Sequence, residues 1–206
     1  MNKIITIGRE FGSGGRQLGL KLAEILGINY YDKEIITEIA KRTDLSEEYV
    51  HDTVGRRPVF SYPVHVGRTF TSVNTLQVME SGALFNEQCK LLKEFADKSD
   101  CIIVGRCADY ILKDYAPFKI FVYADMASKI ARCRNYEEGE QKTDKELKRL
   151  IKRIERNRAE NYRFYTSLKW GDKLNYDMCV NTTNGDIDKI AMSIAKLLQV
   201  DDKLKK

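Results

Sequence analysis

The chain has 206 residues, 43% hydrophobic and 32% charged, with a net charge of +5 at pH 7. That is enough for one α/β domain with a sizeable core and too little for two independent enzymes. No apolar run approaches the roughly 20 residues that cross a bilayer as a helix, and so small a positive charge favours nucleic acid no more than small anions.

The opening stretch, Ile4-Ile5-Thr6-Ile7-Gly8-Arg9-Glu10-Phe11-Gly12-Ser13-Gly14-Gly15-Arg16-Gln17-Leu18-Gly19, is a strand that breaks into glycines and then turns helical. Glycines allow successive backbone N–H groups to converge on one point, and the following helix adds its positive end there, so an anion is the natural guest. The standard triphosphate loop reads G-x-x-x-x-G-K-[ST]. Placing Gly12-Ser13-Gly14 on its usual glycines puts Gly15 where the lysine belongs, with Arg16 and Gln17 next. The nearest cations are Arg9 and Arg16, and arginine can hold phosphate oxygens bidentately. Without the hydroxyl that follows the lysine, a directly held Mg²⁺ is not expected.

The first strand is read as Lys3 to Ile7, and the helix after the loop as Gly15 to Leu26, with Leu18, Leu22, Ile25 and Leu26 inward and Gly27 as C-cap. Residues 28–32 form a second, aromatic strand, after which Asp32 is placed to cap a helix through Lys41 carrying Ile35, Ile36 and Ile39. A helical pattern follows from Ser46 to Val54. Residues 55–71 have no periodicity and read as a loop, whose Arg56, Arg57, Tyr62, His65 and Arg68 could line a pocket or simply face water. One long helix is expected from Ser72 to Lys98. Cys101-Ile102-Ile103-Val104 is then an uninterrupted apolar run, as a central parallel strand requires, and it ends at Gly105-Arg106. Ligands in open α/β sheets sit beyond the carboxyl ends of the strands, which puts Gly105 to Asp109 beside the glycine loop. Residues 119–124 make a fourth strand and Met126 to Tyr136 a helix.

The densest charge lies between Arg132 and Arg163. Thr143-Asp144-Lys145-Glu146 reads as a capping box opening a helix to about Tyr165. Leu147, Leu150, Ile151 and Ile154 share one face of it and Arg149, Arg153, Arg156 and Arg163 the other. Arg158 falls on the apolar side, where a charge needs a partner; Glu155 is the candidate, unless both bind substrate. Residues 175–181 form the fifth strand, Ile187 to Leu198 a closing helix, and 201–206 a frayed tail. The five cysteines show neither C-x-x-C spacing nor an even count, so free thiols are expected and no metal ligands are assigned. Met1-Asn2-Lys3 leads straight into a strand, leaving no room for a signal peptide, and the expected location is cytoplasmic.

In Gly8 to Arg16, Tyr30-Tyr31-Asp32-Lys33, Gly105-Arg106, the arginine-rich segment, and Asn161-Tyr162 through Lys169-Trp170-Gly171 to Asn181-Thr182, the chain resembles the cytidylate kinase-like family. The likeness covers nearly all of it. The resemblance implies an α/β triphosphate-loop fold with a five-stranded parallel sheet in 2-3-1-4-5 order, forming one domain over 1–206. It further implies a core of 1–31, 99–133 and 168–200, a mobile monophosphate-binding insertion over about 32–98, and an arginine-bearing lid over about 134–167. Cytidylate kinases grip the monophosphate nucleotide with Gly-Arg-Asp; here Gly105-Arg106 match and Cys107 replaces the aspartate. The family's lid Asp-x-x-Arg is matched by Glu155 and Arg158.

The expected activity is transfer of the γ-phosphoryl of ATP to a nucleoside monophosphate, CMP or dCMP. Gly12, Ser13, Gly14, Gly15, Arg16 and Gln17 are assigned to the triphosphate, and Asp32, Arg106, Asp109, Glu155 and Arg158 to the monophosphate. Arg16, Arg134, Arg153 and Arg158 are assigned to catalysis by charge neutralisation. Mg²⁺ would enter with ATP, held through phosphates and water. Expected partners are small-molecule nucleotides, with no membrane and no specific nucleic acid. A nucleotide-binding regulatory protein is the alternative. An RNA-binding module is the third reading; it would need aromatics interleaved with the arginines, whereas Tyr162, Phe164 and Tyr165 cluster at one end. Arginine repulsion leads to a lid that stands open without ligand.

Overall fold

Five short runs rich in β-branched and aromatic residues build the sheet, and helices with one apolar face cover it. The computed structural model describes residues 2–55, 75–135 and 142–204. In chain order the elements are β1 (Ile4–Arg9), α1 (Gly15–Leu26), β2 (Asn29–Tyr31), α2 (Glu34–Thr43), α3 (Glu47–Val54), α4 (Thr75–Lys98), β3 (Cys101–Val104), α5 (Ala108–Ile111), β4 (Phe118–Tyr123), α6 (Met126–Arg134), α7 (Asp144–Thr166), β5 (Met178–Asn181) and α8 (Ile187–Leu204). The five strands are parallel, in the order β2-β3-β1-β4-β5.

Strand periodicity divides the core in two. Ile4, Cys101 and Ile103 point to the face covered by α2, α3, α4 and α5, where they meet Ile35, Ile39, Val50, Leu91 and Leu92. Ile5, Ile7, Ile102 and Val104 point to the other face and pack on Leu18 and Leu22 of α1 and Ala191, Ile194 and Leu198 of α8. A third, smaller cluster joins Leu147 and Ile151 of α7 to Cys133 and Ile130 of α6 and to Phe11 in the glycine loop. The described helices of the segment after β2 therefore share the main core. Arg42 of α2 reinforces this with a two-pronged bond to Glu94 of α4, at 2.9 and 2.7 Å.

Several boundaries differ from the sequence reading. β1 runs two residues further, through Arg9, because it keeps pairing with β4 as far as Arg9 opposite Val122. Ile25 is exposed at 37%, and Ala23 takes the inward place expected of it. The residue before α2 is Lys33, without a side-chain cap, since the Asp32 carboxylate is drawn towards Arg9 and Arg16 instead. β4 begins one residue earlier than expected, α6 ends two residues earlier, β5 begins at Met178, and α8 continues to Leu204. The capping box of α7 is formed as expected, with the Thr143 hydroxyl accepting from the Glu146 N–H and Glu146 from the Thr143 N–H. All five cysteines are free. Arg56, Arg57, Tyr62, His65 and Arg68, and the start of the long helix at Ser72, lie outside the described residues. Among the described residues no helix is long and apolar enough to cross a membrane.

Candidate active site

The glycine loop connects the carboxyl end of β1 to α1, beside the carboxyl end of β3. Gly12 and Gly14 hold left-handed φ angles of 75° and 79°, and Gly14 precedes α1 without any side-chain cap. Thr182, fully buried, donates its hydroxyl to the Ser13 carbonyl at 2.6 Å. Arg132 donates to the Gly12 carbonyl at 3.4 Å and the Thr182 carbonyl at 2.5 Å. In a trans peptide the C=O and the following N–H point in opposite directions. Pinning the Gly12 and Ser13 carbonyls against β5 and α6 therefore aims the N–H groups of Ser13 and Gly14 the other way, together with the uncapped first turn of α1. Such a convergence suits an anion. The Ser13 hydroxyl is turned inward, donating to the Glu10 carbonyl at 2.9 Å, so it does not offer itself to a cation.

Four guanidinium groups converge on the same crevice: Arg9 from β1, Arg16 from α1, Arg106 from the turn after β3 and Arg158 from α7. Among the described residues the only carboxylate within ion-pair distance of them is Asp32, 3.5 Å from Arg9 and also bonded to Arg16. Burial, and then the charge of Arg9, pushes Arg106 down to about 10. Burial followed by Arg9, Arg106 and Arg16 lowers Arg158 well below its ordinary value. Arg9 is lowered as well, chiefly by burial, although Asp32 opposes this. The group thus holds an excess of poorly hydrated positive charge, which an anion would offset.

Backbone strain holds Arg106 in place. Gly105, Arg106 and Cys107 take φ angles of 75°, 57° and 55° in succession. For the two non-glycine residues this costs on the order of 1–2 kcal/mol each. Gln88 of α4, almost wholly buried, steadies the turn by donating to the Arg106 carbonyl at 2.9 Å. Arg158 faces inward as the helical pattern predicts. Its guanidinium donates to the Arg9 carbonyl at 3.0 Å and lies 5.6 Å from the Phe11 ring centre.

The carboxylates assigned to the monophosphate each have a protein partner. Asp32 serves Arg9 and Arg16. Asp109 accepts from the Tyr162 hydroxyl at 2.6 Å. Glu155 does not pair with Arg158; it bonds Lys129 at 2.8 Å, and the same ammonium bonds Glu10 at 2.5 Å. The reason is reach: Lys129 of α6 is buried between β1 and α7, and its charge requires both acids. Burial alone would lower the Lys129 pKa, but Glu10 and Glu155 hold it above the usual value.

Arg134 and Arg153 do not join the crevice. Arg153 is on the exposed face of α7 with Arg149, Arg156 and Arg163, and Arg134 pairs with Asp144. Nor does α7 stand off from the body: the Leu147–Ile151 cluster, the Lys129–Glu155 bond and the stacking of Tyr165 on Phe85 hold it. Repulsion among its arginines is weak because they fan outward into water. Among the described residues no group of three or more His, Cys, Asp or Glu side chains is placed to hold a metal ion.

Sequence reading missed Lys129, Arg132, Gln88 and Thr182. Thr182 stood out only as part of the family resemblance at Asn181-Thr182, and Lys129 only as one charge in a helix; neither signal says which carbonyls or acids they bond.

The fold recurs in other proteins. An uncharacterized protein from Eubacterium ventriosum ATCC 27560 is 28% identical over 96% of this chain and 98% of its own, with a TM-score of 0.69. Shikimate kinase from Bacteroides thetaiotaomicron shares the fold at 15% identity, over 97% of this chain and 99% of its own, with a TM-score of 0.58. A gluconokinase from Sinorhizobium meliloti 1021 does so at 10% identity, over 100% and 97%, with a TM-score of 0.54. Among curated proteins nothing matches the chain. The model of the cytidylate kinase-like family matches residues 4–184, a span that takes in every strand, the glycine loop, Arg106 and Arg158. With an anion-ready loop and an arginine-lined crevice at the carboxyl ends of its strands, the chain belongs to the cytidylate kinase-like family, nucleotide-binding kinases that transfer phosphoryl groups to small nucleotides or related metabolites.

Proposed function

We propose that this protein transfers the γ-phosphoryl of ATP to a nucleoside monophosphate, with CMP or dCMP as acceptor. The observation that supports this most directly is the crevice where four arginines gather beside an uncapped helix start and, among the described residues, only two of them, Arg9 and Arg16, have a carboxylate, Asp32, within ion-pair distance. Two phosphate-bearing substrates would bring the missing negative charge. In-line phosphoryl transfer needs positioning and charge neutralisation more than proton chemistry, and this site is rich in cations and backbone donors.

In this reading the N–H groups of Gly12 to Gly15, with Arg16 and Gln17, bind the triphosphate, and Arg106 binds the acceptor phosphate. Arg158, between the two, neutralises charge on the group in transit. Asp32, Asp109 and Glu155 hold the cations and the helix that surround the acceptor. Mg²⁺ would supply further charge neutralisation on the phosphate oxygens; the inward Ser13 hydroxyl and the engaged acids fit a cation carried by phosphates and water. Arg134 and Arg153 would act on the phosphates only if α7 moved over the bound nucleotides as a lid; with α7 where it lies, they add no charge to the crevice.

A coupled assay of ADP formation tests the proposal. Turnover of ATP should require added CMP or dCMP, and other monophosphates should stimulate it less. Should no monophosphate stimulate turnover while ATP still raises the melting temperature, the protein is a nucleotide-binding regulator.

A further inference from the structure

Resting on the reading of the loop as a triphosphate site, we infer that Arg9 is the loop's phosphate-binding cation, and that it and Gly15 have exchanged the places their types hold in the standard motif. With Gly14 as the second glycine of G-x-x-x-x-G-K, the first glycine falls on residue 9 and the lysine on residue 15. Here those positions carry Arg9 and Gly15. The structure supplies the reason the two go together. A Cβ on Gly15 would sit 2.6 Å from the Arg9 Cβ and 3.2 Å from its Cγ, so any side chain at 15 collides with the arginine stem. Gly15 has no left-handed backbone that would otherwise call for glycine.

From there the Arg9 side chain crosses the crevice. Its guanidinium lies against Gly105, where a Cβ would overlap it, and one nitrogen is 3.5 Å from Asp32. Arg9 is also the largest charge acting on both Arg106 and Arg158. It therefore stands between the α1 start and Arg106 and Arg158. A lysine at residue 15 would reach the terminal phosphates from the helix; Arg9 reaches them from the strand, with a planar fork that can grip two oxygens. Arg16, tied to Asp32 and half exposed, is the lesser contributor.

The exchange can be reversed experimentally. ATP affinity is measured by titration calorimetry on wild type, Arg9→Gln, Arg9→Gly, Gly15→Lys and the double variant Arg9→Gly/Gly15→Lys, with melting curves for each. Arg9→Gln, which keeps a polar side chain and removes the charge and the guanidinium, should weaken ATP binding by about tenfold to a hundredfold. Gly15→Lys alone should lower the melting temperature through collision. The double variant should recover most of the affinity that Arg9→Gly loses. Unchanged ATP affinity in Arg9→Gln overturns the inference while leaving the kinase reading intact. A folded double variant that binds no better than Arg9→Gly also overturns it. If wild type binds no nucleotide, the triphosphate reading itself falls.

Discussion

The two faces of α7 use the same residue type in opposite ways. Arg153 lies on the outer face in water, whereas Arg158, five residues on and about 140° around the helix, is drawn into the crevice and bonds the Arg9 carbonyl. Tyr162 and Thr166 continue the buried line towards the carboxyl end, and Leu147 and Ile151 make its amino-terminal counterpart. An arginine's identity says little about its role; its angular position on an amphipathic helix says which environment it must accept. The inner arginine is costly to bury and stays only because something else is gained there. The outer ones are surface charges of small energetic consequence.

Mutation can break this contrast, and the largest effect should come from the inner side. Arg158→Ala should lower turnover by about a hundredfold or more, as loss of a transition-state donor does, while the melting temperature without ligand stays level or rises because a desolvated charge is gone. Steady-state kinetics beside a thermal melt would show it, and wild-type turnover in the variant would remove Arg158 from the chemistry.

Next should come Arg106→Ala, with a loss of about 1.5–3 kcal/mol in acceptor binding and little change in ATP affinity. Equal losses for both substrates would mean that Arg106 serves the crevice generally.

Asp109→Asn sharpens the comparison at the inner end of α7, where Tyr162 ties the helix to α5. Burial raises the Asp109 pKa, with the Tyr162 hydroxyl opposing it. A carboxyl raised on folding binds more protons in the native than in the unfolded state, so its contribution to stability falls as pH rises from its unfolded value through its folded one. Above that window the charged form carries the full cost. Urea melts from about pH 4 to pH 7 should therefore show Asp109→Asn gaining on wild type as pH rises, and a constant difference would refute the assignment.

The smallest effect should be that of Arg153→Ala, within about 0.5 kcal/mol in stability and with turnover nearly unchanged. A loss comparable to that of Arg158→Ala would show that α7 closes over the substrates and that the inner and outer faces exchange roles during turnover. Trypsin cleavage near Arg134 and Lys145, slowed most by ATP and CMP together, would support the same conclusion.

Much of this molecule is determined within short stretches of sequence. The apolar periods of Leu18 and Leu22, the run Cys101 to Val104, the capping box at Thr143 and the inward setting of Arg158 follow from helix and strand geometry acting over a few residues. Glycines before a helix at the end of a strand announce an anion site in the same local way. Which charges meet was decided by tertiary structure. Asp32 is 23 residues from Arg9, Glu155 is 26 from Lys129, and the Arg158 guanidinium bonds a carbonyl 149 residues away. Among the described residues the carboxylates went to the cations within their reach, Asp32 to Arg9 and Arg16 and Glu155 to Lys129, and left the buried Arg106 and Arg158 without one. The Arg9–Gly15 collision likewise depends on how the loop folds back on its own strand, because spacing along the chain carries no record of the distance between two side chains.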